Sequence, residues 1–128
     1  MFRRILFPTD FSDYARRVMD CIADLPGVME VVMVHIVGTN KPASLRSDMV
    51  SSARTRIESE ATLLNNLGIP SVRTEVMVHE SPAAGIDDAA NRNNSDIIVM
   101  GARGKSIIKG LRLGSVTQKV LHESKKNL

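Results

Sequence analysis

From the first residues to about position 100, short runs of apolar and β-branched residues alternate with stretches whose apolar residues recur every three or four positions. That alternation predicts an α/β domain with a parallel sheet, because consecutive parallel strands must be joined by a crossover, usually a helix. Residues 4–7 read as a short first strand ending in Pro8-Thr9-Asp10, and Ser12 opens a helix whose apolar positions are Ala15, Val18, Met19 and Ile22. Pro26-Gly27 stops it. Residues 31–37 are apolar and β-branched, which suits a strand buried on both faces, and Gly38 to Pro42 form a loop. From about Ser44 the residues Leu45, Met49, Ala53, Ile57, Ala61 and Leu64 describe one long amphipathic helix, ended by Gly68-Ile69-Pro70. Residues 72–79 alternate as a strand with one less buried face. Ser81 then supplies an N-cap with Pro82 at the first helical position, and Ile86, Ala89 and Ala90 give this third helix its inner face. Residues 91–95 form the turn into a fourth strand at 96–100. No repeat, linker or low-complexity segment interrupts the pattern, so a single domain over 1–128 is expected.

Composition narrows the function classes. At 128 residues the chain can bury one sizeable core, and 43% hydrophobic with 24% charged residues is ordinary for a globular domain. No apolar run approaches the roughly 18 residues of a membrane-spanning helix, and the apolar stretch at the N-terminus is too short for a signal peptide, so a cytoplasmic protein without a membrane partner is expected. Cys21 is the only cysteine, which excludes an internal disulfide and a cysteine-based zinc cluster. It lies beside Val18 and Ile22 and reads as a buried structural thiol. A pI near 9.4 invites nucleic acid as a partner, yet aromatic residues make up only 3% and tryptophan is absent, so no aromatic-interleaved basic patch exists for base stacking.

The residues from Gly101 to Val116 carry the chemistry. Gly101, Gly104 and the pair Gly114-Ser115 follow the apolar run Ile97-Ile98-Val99-Met100 and precede a helix-like segment. Glycine lets backbone approach a ligand closely, and a helix N-terminus presents unpaired amides, so a strand, a glycine-rich loop and a helix start read together as an anion cradle. Between Asp96 and Glu123 there is no acidic residue, whereas Arg103, Lys105, Lys109, Arg112 and Lys119 all fall there. The plainer reading is a surface turn with solvated cations. The spacing and the position at the carboxyl end of a buried strand, where open α/β sheets bind ligands, favour the cradle. It is not the P-loop of phosphoryl-transfer enzymes: Gly104-Lys105-Ser106 lacks the upstream glycine, Val99 standing in its place. His35, His79 and His122 sit apart in the sequence without a nucleophile or base partner, so neither catalytic residues nor metal ligands are assigned.

The opening Ile5-Leu6-Phe7-Pro8-Thr9-Asp10-Phe11-Ser12, the second-strand Val34-His35-Ile36, the strand end Asp96 to Gly101 and the glycine loop with its nine-residue spacer closed by Gly114-Ser115-Val116 resemble the universal stress protein family, in its nucleotide-binding branch. The resemblance spans nearly the whole chain. It implies a doubly wound open parallel sheet of the adenine nucleotide α-hydrolase-like kind, in three α/β/α layers, ordered 3-2-1-4. The usual fifth strand is missing, because the chain ends at 123–128 without its Val- and Ile-rich segment. Adenosine would lie at the carboxyl ends of the first, second and fourth strands. Pro8, Thr9 and Asp10 would flank it, with Asp10 hydrogen-bonding ribose or base. Ile36 would meet the adenine edge through its backbone. Met100 and Gly101 would line the ribose, and Arg103, Gly104, Gly114, Ser115 and Val116 would hold the phosphates. Asp10 and Ser115 also read as helix caps. Glu80 stands where the family has a glycine near the ribose. The implied ligand is ATP or AMP, with magnesium as an optional companion, and the implied role is regulatory: occupancy would order residues 102–113 and alter a partner or dimer surface. An apolar fourth-strand edge would favour a homodimer. A nucleotide-free interaction module using that edge and a slow ATPase are the alternatives.

Overall fold

The computed structural model describes residues 3–100. In chain order they form β1 (Arg4–Pro8), α1 (Asp13–Ala23), β2 (Glu30–Gly38), α2 (Ala43–Asn66), β3 (Ser71–His79), α3 (Pro82–Arg92) and β4 (Ile97–Ile98). The strands make one sheet in the order β3-β2-β1-β4, and every pairing is parallel.

The two-residue side-chain period of a strand divides the sheet residues between two cores. Ile5, Phe7, Val31 and Met33 point to one face, where Val18, Met19 and Ile22 of α1 and Ile57 and Leu64 of α2 close over them. Leu6, Val32 and Val34 point to the other, against Ala83, Ile86, Ala89 and Ala90 of α3 together with Ile98. The result is three layers, with two helices on one side of the sheet and one on the other.

Local chemistry sets the helix boundaries. The Ser12 hydroxyl accepts from Ala15 N at 3.2 Å, and the Ser81 hydroxyl accepts from Ala84 N at 3.3 Å, with Pro82 at the first helical position as expected. Gly68 ends α2 at φ +113, a conformation that glycine adopts without a Cβ penalty.

Some expectations shift. Leu45 is exposed, although it continues the α2 stripe; full burial begins at Ala53. The 24 residues of α2 extend about 36 Å, against about 30 Å for nine-residue β2, and its residues 43–48 are exposed apart from half-buried Arg46. β3 shows no clean alternation: every residue is half-buried or exposed, because this strand pairs with β2 alone among the described residues. β4 is shorter than expected, although Val99 N still donates to Leu6 O at 2.9 Å. Cys21 is half-buried rather than buried. None of the described helices is long and apolar enough to cross a membrane.

Candidate functional site at the carboxyl edge of the sheet

β1 and β4 are neighbours reached from opposite faces: β1 leads into α1, which with α2 covers one face, whereas β4 is entered from α3 on the other. The crevice at the carboxyl ends of two such strands is where doubly wound sheets hold ligands. Pro8 is the last residue of β1 and pairs with Val34. Thr9 is buried and committed three ways: its amide donates to Val34 O at 2.8 Å, its carbonyl accepts from His35 Nδ1 at 2.8 Å, and its hydroxyl accepts from Phe11 N at 3.1 Å. Since a carbonyl only accepts, the His35 proton resides on Nδ1. Asp10 is exposed, and its Oδ1 accepts from Ser12 N at 2.9 Å. It braces the turn rather than capping α1, a task that belongs to Ser12.

In a parallel strand alternate residues direct their peptide groups to the same neighbour. Val34 accepts from Thr9 and so faces β1; Ile36, two residues on, faces the same way but lies past Pro8, where β1 has ended. Its amide and carbonyl therefore look into the space above the strand end. The side chains of Ile36, of Met77, its register partner in β3, and of Met100 all pack against the α3 core. Gly85 makes that approach possible: a Cβ there would stand 2.9 Å from Ile36 Cδ1 and 3.3 Å from His79 Cβ. Ile36 and Met100 thus share one apolar face at the carboxyl edge. Gly101, Arg103, Gly104, Gly114, Ser115 and Val116 lie outside the described residues.

On the opposite face of the sheet, above α1 and α2, stands a group that the sequence reading missed. The Phe11 ring stacks on His35 with centroids 4.4 Å apart, and Arg56 of α2 lies 4.9 Å from the Phe11 centroid while its Nη2 donates to Phe11 O at 3.2 Å. Glu60, one turn further along α2, is half-buried with an unpartnered Oε1. Burial pushes its carboxyl above the ordinary value and Asp10 adds to the shift, while Arg16, Arg56 and His35 oppose it. His35 had been read only as a strand residue; no local pattern marks Arg56 or Glu60, which lie on the exposed-looking side of a regular helix. Among the described residues, no group of three or more His, Cys, Asp or Glu could hold a metal ion.

Comparison with known proteins places this geometry. The model of the universal stress protein family matches residues 1–128. Universal stress protein MJ0577 of Methanocaldococcus jannaschii is 26% identical, over 98% of this chain and 92% of the relative. The solved structure of MJ0577 superposes with a TM-score of 0.82 at 29% identity, covering 99% of this chain and 93% of that one. The universal stress protein of Methanothermobacter thermautotrophicus is 31% identical, over 95% of this chain and 90% of the relative. The universal stress protein of Archaeoglobus fulgidus, solved in complex with dAMP, has the same fold, with a TM-score of 0.74 at 24% identity over 98% of this chain and 94% of that one. With a family match along its whole length and the α/β sheet of its solved relatives, the chain belongs to the universal stress protein family.

Proposed function

We propose that this protein binds an adenine nucleotide, ATP or AMP, at the carboxyl ends of β1, β2 and β4, and that occupancy regulates a contact with a second copy or another protein. One feature carries the reading: the register turns the peptide groups of Ile36 toward the side on which β1 has ended at Pro8, with the side chains of Ile36 and Met100 on one apolar face. Paired backbone donor and acceptor groups suit the edge of an adenine ring, and a carboxylate at a strand end suits ribose hydroxyls. The dAMP bound by the Archaeoglobus fulgidus protein supports the same ligand class. Gly101 would line the ribose and Arg103, Gly104, Gly114, Ser115 and Val116 would hold the phosphates, an assignment that rests on the sequence. Magnesium would accompany the triphosphate form only.

Titration calorimetry with ATP, ADP and AMP tests the reading. Binding below millimolar concentration is expected for at least one of them, and Asp10→Ala is expected to weaken it by about tenfold to a hundredfold, the worth of hydrogen bonds to a charged group. Absence of binding by all three in the wild-type chain overturns the proposal.

A further inference from the structure

We infer that Arg56, on α2, is a positioning residue for the nucleotide site: it holds the turn from Thr9 to Ser12 in the conformation that presents Asp10. The inference rests on the nucleotide reading above and adds to it a control point on a different element.

The turn is strained at its centre. Phe11 has φ +65, a left-handed conformation that is an outlier for a bulky residue and persists only where its surroundings enforce it. The surroundings here act from two sides. From the sheet, His35 donates to Thr9 O at 2.8 Å and stacks on the Phe11 ring. From the helix, the Arg56 guanidinium lies against the same ring and donates to the Phe11 carbonyl at 3.2 Å. Both Phe11 backbone groups are thereby fixed, the amide on Thr9 Oγ1 and the carbonyl on Arg56. Asp10 and its bond to Ser12 N are bracketed between those two anchors. Arg56 is otherwise an exposed residue in the middle of α2, so a partner that displaced it would loosen the turn without touching the ligand. A guanidinium suits this task because it can lie on an aromatic face and donate in its own plane at the same time.

Two measurements on the full chain test the inference. In the absence of nucleotide, amide hydrogen exchange at Phe11 and Ser12 is expected to quicken by about tenfold in Arg56→Ala, with Val32 and Ile57 unchanged. Affinity for AMP is expected to fall by about tenfold, since an unfixed turn must be ordered on binding. Arg56→Lys keeps a cation over the ring but not the fork, and is expected to recover part of both effects. Should Arg56→Ala fail to fold, Phe11→Leu carries the same comparison, read at Ser12. Unchanged exchange at Phe11 and Ser12 in a folded Arg56→Ala, or a uniform rise across the whole sheet, overturns the positioning role. A wild-type chain that binds none of ATP, ADP and AMP fails the nucleotide reading alone, and the exchange result still decides whether Arg56 holds the turn.

Discussion

Glu60 shows how a single side chain can work against stability where it works at all. Burial raises its carboxyl above the ordinary 4.5, so over a window above that value the native chain holds a proton that the unfolded chain has released. Stability contributed by this group is therefore lost as pH rises through the window and is recovered below about 4.5, where both states are protonated. Glu60→Gln is expected to raise the melting temperature at pH 7 and to lose that advantage near pH 4; thermal scans of both chains across this range check it, and an equal gain at both pH values would refute it. The same residue shows why the surroundings of the Asp10 turn escaped the sequence. Phe11, His35, Arg56 and Glu60 lie on three different elements, and only the sheet order brings them together. Pro8, Thr9, Asp10, Ile36 and Met100 were named through the resemblance, whose motifs are neighbours in sequence; in the structure Pro8 ends β1, Ile36 lies near the end of β2 and Met100 follows β4.

Elements were legible to the extent that their causes are local. Ser81-Pro82 and Gly68 mark helix ends through hydrogen bonds and φ angles within one turn, and both act as expected. The buried stripe Ala53, Ile57, Ala61 and Leu64 follows from helical period. Leu45 misleads because period alone carries no information on where the sheet beneath ends. The fit of α3 was equally hidden. Its inner face is built of Ala83, Gly85, Ile86, Ala89 and Ala90, so helix and sheet lie close, and Gly85 is the tightest point. Gly85→Val is expected to lower stability by about 1–3 kcal/mol through overpacking against Ile36 and His79, measurable by urea unfolding. A neutral result would mean that α3 can slide outward at no cost.

For the described part of the molecule the sheet order predicts a gradient of protection. Among the described residues β1 and β2 are flanked on both sides by strands and covered on both faces, whereas β3 has one neighbour and residues 43–48 of α2 are exposed apart from half-buried Arg46. Native-state hydrogen exchange is expected to be slowest in β1 and β2, faster in β3, and fastest in residues 43–50. Equal rates in β2 and residues 43–50 would contradict this picture.

The Asp96 carboxylate accepts from both Arg3 N and Arg4 N, at 3.0 and 2.9 Å, and its own amide donates to Arg4 O at 2.8 Å. The threshold of the first strand is thus fastened by a residue more than ninety positions later. During synthesis the opening strand would leave the ribosome early and wait, one flank uncovered, until almost everything described here had followed it. On that order, the earliest described strand to be made would be among the last to have both flanks paired.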